Sequence, residues 1–126
     1  MRSSTQAWTS NHFEAFLNKP ELFNYKPCLR HGDFGPGNIL HDPQAQTING
    51  IIDFDDIGKG DPAVDLAAVT FFGARFVERF YSVYPEVEAM QGRIQFYKGT
   101  FALQEALHGI KHNDCQAFES GMAEYV

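Results

Sequence analysis

Cysteine is scarce: Cys28 and Cys115 are the only two, and they show no Cys-x-x-Cys spacing. A disulfide scaffold is therefore excluded, and two reduced, buried thiols are expected. Cations are also few, ten Lys and Arg against 16 Asp and Glu, for a net charge of −6. That is the wrong sign for a protein that neutralises phosphodiester backbones, so nucleic acid is not expected as a partner, whereas a cationic small molecule is allowed. No apolar run approaches the roughly 20 residues that span a bilayer. The first ten residues lack the basic start, apolar centre and small-residue cleavage site of a signal peptide, so a cytoplasmic chain without a membrane partner is expected. Internal repeats and low-complexity tracts are missing as well. Aromatics, in contrast, are plentiful, with 12 Phe, 5 Tyr and 1 Trp inside a 44% apolar composition. Such a chain buries roughly two-thirds of its unfolded surface, which excludes intrinsic disorder.

Hydrophobic spacing sets out the organisation. Phe13, Phe16 and Leu17 predict an amphipathic helix over Asn11–Leu22, with Ser10 as its N-cap and Pro20 near its end. Tyr25–Arg30 is a short apolar run leading into His31-Gly32-Asp33-Phe34-Gly35-Pro36-Gly37-Asn38, where three glycines and a proline exclude regular structure. Asn38–His41 and Ile48–Phe54 read as the two strands of a hairpin joined by Asp42-Pro43-Gln44-Ala45-Gln46, and the second arm ends in a burst of acids. Asp61-Pro62 is an N-cap followed by proline at the first helical position, and it opens a helix over Ala63–Phe72. Arg75–Val83 and Val87–Lys111 continue as helices, Gly73, Pro85 and Gly99 mark breaks, and Asp114–Val126 forms a short last helix. The fold class is α+β, a mostly helical body with one short hairpin. Its Phe-rich helical stripe is expected to be core, with part of it left exposed.

The unusual residues fall between positions 31 and 65. His31-x-Asp33, Asn38 five residues after the Asp, and Asp53 at the end of a strand bring a carboxylate, an amide and a second carboxylate to one loop mouth. Phosphoryl transfer needs such a set: one Asp orients the attacking hydroxyl, while an Asn and an Asp hold the magnesium that bridges the nucleotide phosphates. Hard oxygen donors suit Mg²⁺. An alternative chemistry uses His31, Asp33, Asp53 and Asp55 as a two-metal phosphohydrolase cluster that needs no acceptor. Asp61 is read as a helix cap. His108 and His112 share a helix face, but Gly109 stands where a zinc peptidase would carry Glu, so packing is preferred to a metal site.

Three stretches, Cys28–Leu40, Ile48–Asp56 and Gly60–Ala67, resemble, in order and without a gap, the catalytic loop, metal-binding strand and following helix of the aminoglycoside phosphotransferase family. Members of that family are small-molecule kinases with a protein-kinase-like fold; the resemblance covers about residues 25 to 72, and the helical remainder fits the family's C-terminal lobe in character. By position it implies Asp33 as the catalytic Asp at the acceptor hydroxyl, Asn38 and Asp53 as Mg²⁺ ligands, and Leu40 and Ile52 as the apolar floor under the base of ATP or GTP. It implies His31 and Asp65 as scaffold, Asp65 holding the loop's backbone. Asp55 replaces the Gly of the protein-kinase Asp-Phe-Gly, which argues against a protein substrate. Asp55, Asp56 and Glu105 are candidate contacts for a cationic acceptor, an aminoglycoside first, with choline, homoserine or a macrolide as alternatives.

A kinase of this kind also needs a phosphate-covering loop and a strand Lys paired to a helix Glu. Only 24 residues precede Tyr25, and neither Gly35-Pro36-Gly37 nor Gly58-Lys59-Gly60 completes a phosphate loop. The expectation is one domain, residues 1–126, equivalent to the C-terminal lobe with the N-terminal nucleotide-binding lobe absent. Alone it should be a poor catalyst. A non-catalytic fragment that only associates with a partner lobe is the remaining alternative.

Overall fold

In the unit formed by residues 25–94, glycine and small side chains let short strands and a short helix crowd around the 31–38 loop. A computed structural model describes residues 3–125 of the chain, which falls into this unit and a second one, residues 1–24 with 95–126. Strand β1 (Cys28–Arg30) pairs antiparallel with β4 (Gly58–Gly60), Arg30 lying opposite Gly58. The hairpin comprises β2 (Ile39–Asp42) and β3 (Thr47–Ile51), with Ile39 opposite Ile51, Leu40 opposite Gly50 and a register shift between Leu40 and His41. Its turn is held locally, since Asp42 Oδ1 accepts from the amides of Gln44 and Ala45 at 2.8 and 3.0 Å.

Helix α2 (Ala63–Val69) follows, then a 3₁₀ turn, α3 (Ala74–Val83), a second 3₁₀ turn over Pro85–Met90 and the start of α4 (Gln91–His112). The α2 start agrees with its sequence signal: Asp61 Oδ1 accepts from the Ala63 amide at 3.0 Å. Buried here are Ala63, Ala67, Ala68, Val69, Val87 and Ile94. A core of small residues permits close backbone approach, and enlarging either fully buried alanine of α2 would cost about 1–3 kcal/mol by overpacking.

In the other unit, α1 (Ser3–Leu17) and a 3₁₀ turn over Pro20–Phe23 are joined by the rest of α4 and by α5 (Cys115–Ala123). Asp114 caps α5, accepting from the Ala117 amide at 3.0 Å. The unit is organised by a column of nearly parallel rings, with Trp8 on His12 at 4.7 Å, His12 on Phe96 at 5.1 Å and Phe96 on Phe16 at 3.8 Å. Tyr125 tilts against Trp8 at 4.9 Å, and burial together with the Glu124 charge raises its hydroxyl pKa, so it stays neutral.

Several expectations are corrected. The first helix begins at Ser3 rather than Asn11 and ends at Leu17, because the ring column secures turns whose own sequence is weakly apolar; Ser10 lies inside the helix and caps nothing. Gly99 does not break α4. It makes room for a ring: a Cβ there would sit 2.5 Å from His12 Nε2. The second hairpin arm stops at Ile51, three residues early, because Asp53 takes a left-handed backbone (φ 62°) that turns the chain out of the ladder. The β1–β4 ribbon has no sequence signal beyond a short apolar run. Both thiols are exposed rather than buried. Part of the phenylalanine is exposed, as expected, but the exposed share is larger than a core stripe implies: Phe13, Phe23, Phe54, Phe71, Phe76 and Phe118 are all exposed. No helix of the described residues is long and apolar enough to cross a membrane.

Candidate active site

The loop between β1 and β2 is tied down at three places. Asp65, in the first turn of α2, accepts from the His31 amide with Oδ2 at 2.8 Å and from the Gly32 amide with Oδ1 at 2.9 Å. One carboxylate thus satisfies two successive loop amides that no strand could reach. His31, 8% exposed, receives the Asp33 amide on Nδ1 at 3.1 Å, which leaves Nε2 to carry the proton and donate to the Ile52 carbonyl at 2.8 Å. Its ring packs against Phe54 at 4.8 Å and Phe34 at 5.8 Å. This imidazole therefore bridges the backbone of position 33 to that of position 52, next to Asp53.

Asn38 supplies the third tie. Its Nδ2 donates to both the Asp33 carbonyl at 2.8 Å and Asp33 Oδ2 at 3.1 Å, while its backbone carbonyl accepts from the Ile52 amide at 2.9 Å. The amide is oriented by these two donations, and its Oδ1 accepts no hydrogen bond among the described residues. Asp33 itself is exposed. Asp53 is exposed as well, follows Ile52 directly, and its carboxylate has no partner among the described residues. Left-handed backbone at a non-glycine residue costs on the order of 1 kcal/mol and concentrates at functional sites. Two hard-oxygen donors with spare capacity, one amide and one carboxylate, thus stand at the end of the same hairpin. They fit a magnesium ion.

The pleat places the remaining candidates. Leu40 and Gly50 share one face of the hairpin, Ile39 and Ile51 face the other way, and Ile52 follows β3 with its amide on the Asn38 carbonyl. Leu40 and Ile52 are 46% and 43% exposed, and a Cβ on Gly50 would meet nothing nearer than Leu40 Cδ1 at 3.9 Å. An open apolar face results. The glycine in that strand lies opposite Leu40, at the register shift between Leu40 and His41, a placement that sequence reasoning passed over. Ile51, on the opposite face, joins His31, Phe34, Phe54, Asp65, Leu66, Val69 and Phe80 around a cavity of about 210 Å³ beneath the loop.

Asp55 and Asp56 form an exposed turn whose backbone lies against Gly32. Glu105 is exposed on α4 in the other unit. The His108 and His112 rings stack at 4.1 Å, with His112 Nδ1 donating to the His108 carbonyl at 3.0 Å, a packing arrangement. No three His, Cys, Asp or Glu side chains of the described residues gather as a metal cluster. The two-metal arrangement also loses His31, whose ring nitrogens are both engaged.

Gly32 sets a strict test of this packing. Its φ is +94°, and a Cβ there would lie 2.6 Å from the Asp56 carbonyl oxygen and 2.8 Å from Asp56 Cβ. Gly32→Ala is therefore expected to destabilise the chain by about 3 kcal/mol, strain and clash combined. Urea unfolding checks this, and a midpoint equal to that of the unmodified chain would contradict the packing.

Comparison with known proteins places the chain in a family. The family model for the phosphotransferase enzyme family (APH) matches residues 5–97. Viomycin phosphotransferase of Streptomyces vinaceus is 35% identical over 105 residues, covering 75% of this chain and 34% of the relative. A probable ketoamine kinase of Lactiplantibacillus plantarum is 33% identical over 88 residues, covering 68% of this chain and 30% of the relative. The chain thus spans about a third of the length of these relatives. Among solved structures, the GDP complex of an aminoglycoside 2'-phosphotransferase-IIIa superposes with a TM-score of 0.81 at 22% identity, over 98% of this chain and 43% of that one. A macrolide 2'-phosphotransferase type I gives 0.72 at 21% identity, over 92% and 40%. The fold is theirs, and by the extent of the family match this chain belongs to the phosphotransferase enzyme family.

Proposed function

We propose that this chain supplies the catalytic loop, the magnesium ligands and the acceptor-binding part of a small-molecule kinase. It would transfer a phosphoryl group from ATP or GTP to a hydroxyl of an aminoglycoside or similarly cationic antibiotic, and so confer resistance. Asp33 orients the acceptor hydroxyl and takes its proton; Asn38 and Asp53 hold Mg²⁺; Leu40 and Ile52 floor the nucleotide base; His31 and Asp65 fix the loop. A magnesium ion held by Asn38 and Asp53 would supply positive charge against the charge that develops on the nucleotide phosphates during transfer. Asp55, Asp56 and Glu105 offer carboxylates to a cationic acceptor. The observation that carries the reading is the double donation from Asn38 Nδ2 to Asp33, which turns Oδ1 into a spare donor beside the Asp53 strand end.

Support for the substrate class comes from the antibiotic phosphotransferases among the relatives, and for GTP beside ATP from the GDP complexes among the structural neighbours. The phosphate-covering lobe is proposed to come from outside these 126 residues, and the whole to work in the cytoplasm. Incubation with labelled ATP or GTP, Mg²⁺ and a panel of viomycin, kanamycin and choline tests the assignment. Little transfer is expected from the 126 residues alone, and acceptor-dependent transfer once the nucleotide-covering lobe is present. Phosphate release that ignores the acceptor would instead favour a hydrolase.

The base floor yields a separate expectation. At Gly50 a Cβ meets nothing nearer than Leu40 Cδ1 at 3.9 Å, so in Gly50→Leu the fold should persist while the added side chain covers the face beside Leu40. Nucleotide affinity is expected to fall about tenfold, the equivalent of about 1.4 kcal/mol, measured by calorimetry with an unchanged circular dichroism spectrum. Unchanged affinity would move the base elsewhere.

A further inference from the structure

We propose that Arg93, which lies outside every motif between residues 28 and 67, is a positioning residue for the 31–38 loop: it holds Asp61, Asp61 starts α2, and α2 presents Asp65 to the loop amides. The proposal rests on reading that loop as catalytic and adds a residue to it.

Arg93 Nε donates to Asp61 Oδ2 at 2.9 Å, and the two side chains are only 9% and 2% exposed. The other oxygen of the same carboxylate receives the Ala63 amide at 3.0 Å. Asp61 is thus divided between a buried cation and the first amide of a helix. The Arg93 guanidinium also lies over the Tyr25 ring, 5.1 Å from its centroid, three residues before β1. One side chain therefore grips the chain on both sides of the loop.

Helix α2 has only seven residues, and Asp65 sits in its first turn. Helices fray from an end whose amides lose their acceptor. Fraying at this end withdraws the carboxylate that accepts from His31 and Gly32, and the two amides are left unpaired. Without Arg93, Asp61 becomes a buried carboxylate with no cation, an arrangement that drives it away from its place. The Val77 amide of α3, bonded to the Gly73 carbonyl at 3.0 Å, lies in the same unit, involves neither the loop nor Asp61 in that bond, and serves as a reference.

Amide hydrogen exchange on the full 126-residue chain, resolved by NMR, tests the proposal. Arg93→Met keeps the side-chain length and removes the charge. Exchange at His31 and Gly32 is expected to accelerate at least tenfold more than at Val77, and Arg93→Lys to recover part of that difference. Equal acceleration at all three amides would make Arg93 a general stabiliser and overturn the proposal, as would unchanged exchange at His31 and Gly32. If Arg93→Met does not fold, Asp61→Asn carries the same comparison, because it retains an oxygen for the Ala63 amide. Phosphoryl transfer is not read in this experiment, so a failure of the proposed function and a failure of this one remain distinguishable.

Discussion

Replacing Asp33 by Ala is expected to lower phosphoryl transfer by about 10³-fold or more, within the range that removal of a general base costs, while nucleotide affinity stays within a few fold. The asymmetry follows from how Asn38 is held. Its Nδ2 has two acceptors on Asp33, the carbonyl at 2.8 Å and the carboxylate at 3.1 Å, and the substitution removes only the second. The amide keeps its orientation and its Oδ1 stays available to the cation, so the metal side of the site survives. Asp33→Asn sharpens the test. It retains an acceptor for Asn38 and hence the loop geometry, but it cannot take a proton. Transfer should fall nearly as far as in the Ala variant, and a thermal midpoint close to that of the unmodified protein would separate chemistry from folding. Turnover is measured by phosphate incorporation into the acceptor, and affinity by calorimetry, in the polypeptide that unites this chain with its nucleotide-covering lobe. Equal losses of turnover and affinity would place Asp33 among the metal ligands. No change in either would mark the chain as a non-catalytic partner.

The candidate site was legible because the phosphoryl transfer proposed for it needs its oxygen donors gathered in a single segment. Asp33, Asn38, Asp53 and Asp65 lie within 33 positions, bounded by glycines and prolines that no helix or ladder tolerates. Asp61-Pro62 was equally readable, since a cap acts on amides two residues away. Interactions spanning greater separations left no pattern. Arg93 is 32 residues from Asp61, and nothing distinguishes it in sequence from any other arginine of a helix. The same holds for α1, where His12 stacks on Phe96 of α4 and Trp8 packs between His12 and Tyr125 rather than following a periodicity of their own. Gly99 failed as a break for a related reason: glycine weakens a helix by about 1 kcal/mol, and here the His12 ring packed against that position compensates. Exposure of the cysteines, and how far the expected exposure of phenylalanine would reach, was illegible because burial depends on what a face meets, and composition reports only that apolar area exists.

Loss of the Asp53 carboxylate is expected to act on the other half of the reaction. Asp53→Ala should weaken Mg²⁺-dependent nucleotide binding by about 100-fold, the upper end of what loss of a metal-site partner costs, so that affinity with Mg²⁺ falls to that measured in chelator. Backbone strain complicates this variant, because Asp53 holds φ at 62°, a conformation that Asp and Asn tolerate better than Ala. Asp53→Gly resolves the two effects. Glycine adopts that backbone freely, so its thermal midpoint should match or exceed that of the Ala variant, yet it offers no oxygen to a cation and should lose metal-dependent binding to the same extent. Asp53→Asn keeps the backbone preference and one neutral oxygen, and an intermediate loss of about tenfold is expected. The order Asp, Asn, then Gly and Ala together in affinity, set against a different order in stability, is the signature of a ligand. If affinity instead follows stability across the four proteins, Asp53 acts only through the turn that ends β3, and Asn38 must find its magnesium partner in another carboxylate, with Asp55 the nearest alternative along the chain.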